Sequence, residues 1–425
     1  MVYGSARSSY LQSLDRVQNA ALRVCLGAFR TSPISSLYAE ANEMPLDLRR
    51  QKLTLQYVLK LKSNPSNPAY SCVFAPCYKV FFDARPTAIP TIGVRIQQQL
   101  SETGISLDCI ARSSICATPP WLLRTATFVD CLHQLGSKGE TAPELYRSKF
   151  NEVLAAFDGF ERIYTDASKD GSTVASAAMS RFGTRVKRLP NDASIFSGEV
   201  RAILLALDMA EQANSDKFLV MSDSLSCLQS IENRHFHNPL ILEIIMRVHG
   251  LLLDGHSITF MWLPSHVGLA GNVAVDAAAK AALALRPTSS VIPYSDFKPV
   301  ISSYVAAKWQ KSWDAEVNNK LHQIQLRVGS AKVYCLSRRD ELIIHRLRIG
   351  HTHFTHSYLL KGESPPMCVG CDSPFTVKHI LIDCVEFALS RAKYFNVSSL
   401  KELFDTVRMH DIIDFIKDIG LYRKV

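Results

Sequence analysis

The chain has 425 residues, 47% of them apolar and 20% charged, with a net charge of +9; that length suffices for two or three domains and a sizeable core. No uninterrupted apolar run reaches the roughly 18 residues of a membrane-spanning helix. An integral membrane protein is therefore not expected, and the opening MVYGSARSSYLQSLDRVQ, without a basic flank followed by an apolar stretch, argues against secretion, so an intracellular location is expected, nucleus or cytoplasm undetermined. The eleven cysteines are odd in number and mostly scattered, which argues against a disulfide scaffold.

In chain order, Leu11, Leu14, Val17, Ala21 and Val24 have helical spacing that Gly27 closes. A second helix is expected from about Pro45 to Leu61. The Pro-rich text that follows (NPSNP, ARPTAIPTIG, ATPP) has little periodicity, so 64–158 reads as irregular and linker-like. From 161 come a strand, a Gly-containing turn, a second strand, and a third near 184–189. A helix through Val200, Ile203, Leu204 and Leu207 follows. The strand KFLVMSD, the helix LILEIIMRVHGLLL, the strand SITFMWLP and the helix AVDAAAKAALAL then alternate. This order predicts an α/β mixed sheet covered by helices. Four segments result: 1–63 helical, 64–158 linker-like, 159–286 α/β, and 287–425 mainly helical. The formal charge is +5 for 1–160, −1 for 161–286 and +5 for 287–425, so the basic balance lies in the flanks, a weak pointer to a polyanionic partner.

Four acids stand out in the middle segment: Asp166 in the first strand, Glu199 on the first helix, Asp223 after KFLVMS, and Asp276 on the last helix. Singly, each has an ordinary use. Asp166 and Asp223 suit turns or caps, Glu199 suits a helix N-terminus, and Asp276 suits an i,i+4 pair with Lys280. Asp223, however, ends a buried strand, where open α/β sheets place ligands. Several carboxylates meeting there repel one another unless a divalent cation joins them, and an all-oxygen set suits Mg²⁺ or Mn²⁺ rather than zinc.

These residues carry a resemblance. YTDASK at 164–169, SGEVRAILLAL at 197–207, SDSLSCL at 222–228 and WLPSHVGLAGNVAVDAAAKAA at 262–282 resemble, in order, the motifs of type 1 ribonuclease H. The resemblance implies a five-stranded mixed sheet flanked by helices and cleavage of the RNA strand of RNA·DNA hybrids. It also implies that Asp166, Glu199, Asp223 and Asp276 hold two Mg²⁺ ions, for which Mn²⁺ can substitute, that Glu199 helps read the 2′-hydroxyl, and that His266 is the family's mobile histidine, able to move protons at neutral pH. Two positions depart from the family pattern. Val273 stands where an acid is common and Ala167 where glycine is common. Between Asp223 and the helix at 239–253 there is no room for the basic protrusion that some members use to grip hybrids.

Near the C-terminus, Cys368, Cys371, His379 and Cys384 have the spacing C-x2-C-x7-H-x4-C, a closed three-thiolate, one-imidazole set suited to structural Zn²⁺; a knuckle of this kind can bind single-stranded nucleic acid. The pattern follows LRIGHTHFTHSYLL and resembles the tail after ribonuclease H in LINE-like (non-LTR) retrotransposon polyproteins. LDRVQNAALRVCLGAFRTSP at 14–33 and PLDLRRQKL at 45–53 resemble the region just after the polymerase core of the same polyproteins. The resemblance implies a truncated retroelement product. No Tyr/Phe-x-Asp-Asp motif occurs, so no polymerase centre is expected. Two other readings stand beside the enzyme: a non-catalytic nucleic-acid-binding module of the same fold, and a tail that is itself the nucleic-acid-binding part. Membrane association is not expected, and the sequence leaves the oligomeric state open.

Overall fold

The structure, a computed structural model, describes residues 6–75, 79–85, 87–116, 118–136, 141–288, 291–330 and 334–425. It divides into two compact units, Leu55–Cys77 with Gly93–Val300, and Met1–Thr54 with Tyr78–Ile92 and Ile301–Val425. Among the described residues no helix is long and apolar enough to cross a membrane.

The first unit is built on a sheet of β1 (Thr127–Val129), β2 (Glu161–Asp170), β3 (Thr173–Ser180), β4 (Gly183–Arg188), β5 (Lys217–Ser222) and β6 (Ser257–Trp262). The spatial order is β1-β6-β5-β2-β3-β4. β2, β3 and β4 form an antiparallel meander, and β2, β5, β6 and β1 run parallel. One face packs on the helices Ile195–Ala210 and Pro239–Leu253, through Ile163, Phe218, Val220 and Phe260. On the other face Val275 and Ala279 of the helix Ala270–Ala282 meet Ala177 and Tyr164. Coverage of both faces explains why β5 is a continuous apolar run rather than an alternating one.

The expected mixed sheet with covering helices is present, but it has six strands rather than five. The extra strand, β1, lies within the stretch 64–158 that reads as linker-like. Leu123, Leu132 and, from the helix Pro143–Ala155, Tyr146, Phe150 and Leu154 are buried in the same core. Three residues are too few to display a period, and the apolar residues around them are scattered in sequence, converging only in space. The stretch after Arg286 also remains with this unit: Ile292 donates to the Cys109 carbonyl and Ala111 donates back to Ile292, both at 2.8 Å.

The second unit is helical, as expected of the terminal segments. Its helices include Ser8–Leu26, Ile34–Ala41, Arg338–Ile349 and Met409–Asp418. The first ends at Gly27, in the left-handed region at φ 55°. The Leu342 side chain lies 2.6 Å from where a Cβ there would stand, so both conformation and space require glycine. Ile344, Leu347, Phe415 and Ile416 fill the core. Within it Glu40 is held by both oxygens to Arg348 Nε, at 2.9 and 3.0 Å.

Candidate functional site

The backbone brings two of the four acids together directly. Thr165 of β2 is in parallel register with Ser222 of β5, so Asp166 and Asp223 are the next residues along neighbouring strands. Thr165 Oγ1 donates to the Met221 carbonyl at 3.0 Å and fastens that register. Trp262 Nε1 donates to the Asp223 carbonyl at 3.0 Å and fixes the chain where it leaves β5.

Glu199 arrives on the helix Ile195–Ala210. Ser194 caps this helix, its hydroxyl accepting from the Ser197 N–H, while both Ser194 donors bind the Asp296 carboxylate at 3.0 Å. Ser176 Oγ donates to the Gly198 carbonyl at 2.7 Å and draws the helix onto β3. Asp276 lies on the helix Ala270–Ala282, whose Gly271 packs so closely on the Tyr164 ring that any Cβ would overlap it.

Asp166, Glu199 and Asp223 each present a carboxylate oxygen, all within 4.8 Å of one another. Asp276 is not one of the three that converge; its charge acts on Asp166, and it makes the i,i+4 pair with Lys280 at 2.7 Å. Burial, then the charges of Asp223 and Asp276, push the Asp166 carboxyl up to about 7, against a hydrogen bond from the Ala167 backbone. Burial and the charges of Asp166 and Asp223 likewise raise Glu199 well above the carboxylate range. Glu199 Oε2 is buried with no hydrogen-bond partner. Crowded carboxylates, a raised proton affinity and an orphaned acceptor together fit a hard divalent cation.

His266 stands outside this cluster. It is exposed, in the left-handed region at φ 61°, in the loop between β6 and the Asp276 helix. Val273, three residues before Asp276, is 53% exposed, so its side chain meets solvent rather than the packed core. The roles of the Ala167 N–H, Trp262 and Asp296 escape the sequence, because backbone donors and capping partners carry no spacing signal.

In the helical unit, Cys368, Cys371, His379 and Cys384 also converge, with one ligand atom from each inside 4.8 Å. Cys368 ends the first strand of a small hairpin, Met367–Cys368 with Ser373–Pro374, and Cys371 lies in its turn. His379 opens a single π-helical turn, His379–Asp383, that delivers Cys384. The Cys384 sulfur lies 3.8 Å from each of the other two. Cys368 and Cys384 are fully buried, and His379 Nε2 is buried without a hydrogen-bond partner. A soft donor set with an imidazole nitrogen left open fits a tetrahedral Zn²⁺.

A family model described as RNase H matches residues 160–284. Among curated proteins none matches the chain. Among solved structures, RNase H1 from the halophilic archaeon Halobacterium salinarum NRC-1 is similar, at 21% identity over 29% of this chain and 98% of that one, with a TM-score of 0.24. Residues 160–284 are thus a domain of the RNase H family.

Proposed function

We propose that the 159–286 segment is a metal-dependent endoribonuclease that hydrolyses the RNA strand of RNA·DNA hybrids. The observation that carries this reading is the meeting of Asp166, Glu199 and Asp223 oxygens within 4.8 Å, with the charge of Asp276 acting on Asp166, inside the stretch that matches the RNase H family. Asp166, Glu199, Asp223 and Asp276 hold Mg²⁺, or Mn²⁺ in its place. Bound there, the ions supply Lewis-acid stabilisation of the reacting phosphodiester. The chain itself orients the donors: strand register sets Asp166 beside Asp223, the Ser194 cap and Gly198 set Glu199, and Lys280 restrains Asp276. His266, on its exposed loop, carries protons between the site and solvent.

Cys368, Cys371, His379 and Cys384 hold a structural Zn²⁺, and the tail is a second contact for single-stranded nucleic acid. The resemblance of both flanks to non-LTR retrotransposon polyproteins supports an origin as a retroelement fragment.

The test is cleavage of an end-labelled RNA·DNA hybrid by the full chain in Mg²⁺. Cutting of the RNA strand to 5′-phosphate products is expected, with duplex DNA left intact. Asp166→Asn and Asp223→Asn should each lower the rate by ~10³-fold or more, the scale of losing a group that acts in the transition state. Equal cutting by all three chains identifies a contaminant and removes the assignment. Hybrid binding without cleavage in either metal favours the non-catalytic module, for which the exposed Val273, standing where an acid is common, is the structural argument.

A further inference from the structure

We infer that a cleft of about 600 Å³, lined by Lys60, Ser66, Ser113, Ser114, His237 and Tyr294 among others, takes a backbone phosphate of the nucleic-acid strand on which the carboxylates act. The inference rests on the ribonuclease H reading and adds to it a grip made largely by residues outside 160–284.

The first argument is the chemistry of the lining. Among the described residues that line it, ten in number, none is Asp or Glu; the polar ones are a lysine, a histidine, a tyrosine, an asparagine and four serines. Other large clefts of the described residues each include an acid, Glu161 in two and Asp314 in a third. Ser63, Ser66 and Ser113 spend their hydroxyl protons inside the wall, so Lys60, Ser114, His237 and Tyr294 are the groups that meet an anion, with no carboxylate of the described lining to oppose it. Phe236 and Ile115 add apolar surface beside it, which suits a sugar or base edge next to a phosphate.

The second argument is that its wall is already assembled. Ser113 donates its backbone N–H to the Ser63 carbonyl at 2.6 Å and its hydroxyl to Ser63 Oγ at 3.3 Å. Ser63 Oγ in turn donates to the Lys60 carbonyl at 2.7 Å. These bonds join the end of the helix Leu46–Lys62 to the 113–115 segment, so binding there orders little new chain.

The third argument is position. Tyr294 lies two residues before Asp296, which binds the Ser194 cap of the Glu199 helix; Glu199 is five residues on, about 7.5 Å of helix rise. The lining residue Tyr294 is thus joined, through Asp296 and Ser194, to the helix that carries Glu199. His237 belongs to the short turn before the helix Pro239–Leu253, where the chain has no basic protrusion, and the 161–286 stretch carries a net charge of −1. Phosphate neutralisation has to come from elsewhere, and Lys60, exposed on a different part of the chain, supplies it.

The experiment measures binding of the full chain, in an Asp166→Asn background, to an uncut hybrid across a salt series. Lys60→Gln should weaken binding about three- to tenfold near 0.1 M salt and lower the slope of log K against log salt by about 1, with Lys60→Arg restoring both. Lys60 is exposed, and matching melting temperatures establish that the variants fold. Unchanged affinity and slope in Lys60→Gln, with the parent binding hybrid, overturn the cleft assignment and leave the ribonuclease reading standing. Absence of hybrid binding by the parent removes both. An arm with inorganic phosphate separates the two sources of the same chemistry: a melting shift in phosphate that Lys60→Gln abolishes, with hybrid affinity untouched, assigns the cleft to free phosphate and overturns the strand contact.

Discussion

Gly198 and Ala167 meet face to face across the helix–sheet contact: a Cβ at 198 would stand 3.0 Å from the Ala167 Cβ and 2.7 Å from Val174 Cγ1. Glu199 is the next residue, so the absence of a side chain at 198 lets the helix bring that carboxylate to Asp166. Gly198→Ala should overpack the contact, at a cost of about 1–3 kcal/mol, and reduce hybrid cleavage by moving Glu199. Val174→Ala, which removes the nearer obstacle, should recover part of both losses in the double variant, giving a coupling energy in urea unfolding. Strict additivity of the two substitutions counts against the steric account.

Metal-free stability should fall as pH rises from about 4 to 7. Asp166 is held at about 7 in the fold against an ordinary 3.8, so between those values the folded chain keeps a proton that the unfolded chain has released. The stabilising effect of that proton is complete below the unfolded value and gone above the folded one. Its size is about 2–4 kcal/mol across the window. Asp166→Asn should flatten this limb in urea unfolding with EDTA, and Mg²⁺ should raise the melting temperature more at pH 8 than at pH 6, since protons compete for the same oxygens. A larger metal shift at pH 6 contradicts a carboxylate-bound cation.

The RNase H family unit is legible in the sequence because its signals are local. The strand Phe218–Met221 ends in Asp223, and the four acids follow one another on elements whose periods are plain. The register that sets Asp166 beside Asp223 is not in the sequence; the parallel pairing of Thr165 with Ser222 sets it. What escaped depends on distance along the chain. β1 is three residues long and leans on β6, some 130 residues later. Asp296 binds Ser194, the cap of the Glu199 helix, 102 residues earlier. The stretch 64–158 reads as linker because its buried residues, Leu123 and Leu132 among them, have no repeat of their own. The C-terminal cysteines and histidine were visible from spacing alone, whereas the open Nε2 of His379 is a fact of packing.

The full chain should carry one zinc ion per molecule through gel filtration, and a strong chelator should release it. Cys384→Ser removes the sulfur that lies 3.8 Å from both Cys368 and Cys371. It should abolish bound zinc and lower the melting temperature of the helical unit, because binding energy at a structural zinc site is folding energy. His379→Ala should weaken zinc binding rather than abolish it, since the three sulfurs remain. Hybrid cleavage by the 160–284 domain should be unchanged in a zinc-free chain that stays folded. Full zinc content in Cys384→Ser excludes the four-ligand set.

Glu40 and Arg348 form the ion pair on which the helical unit's core depends, separated by 308 residues and with side chains 2% and 1% exposed. Burial pushes Glu40 up, but hydrogen bonding from His345 at 2.8 Å and the Arg348 guanidinium outweigh it and hold the carboxyl below its ordinary 4.5. Arg348 also donates to Gln325 Oε1 at 2.6 Å, and Gln325 Nε2 donates to the Ala39 carbonyl at 3.1 Å, so the pair sits in a network rather than alone. Arg348→Met should cost about 3–5 kcal/mol at pH 7, since it leaves a buried carboxylate without its partner. A carboxyl depressed in the fold contributes stability above its unfolded value and loses it as pH falls through the folded one. In Arg348→Met the guanidinium's share of that depression is lost and only His345 opposes burial, so Glu40 rises and the variant should approach the parent as pH falls from 7 toward 4. Urea unfolding of both chains at the two pH values reads the difference. The same deficit at both would mean that Arg348 acts through packing alone. Replacing both residues, Glu40→Leu with Arg348→Met, should return much of the loss at pH 7, because no charge is then left buried.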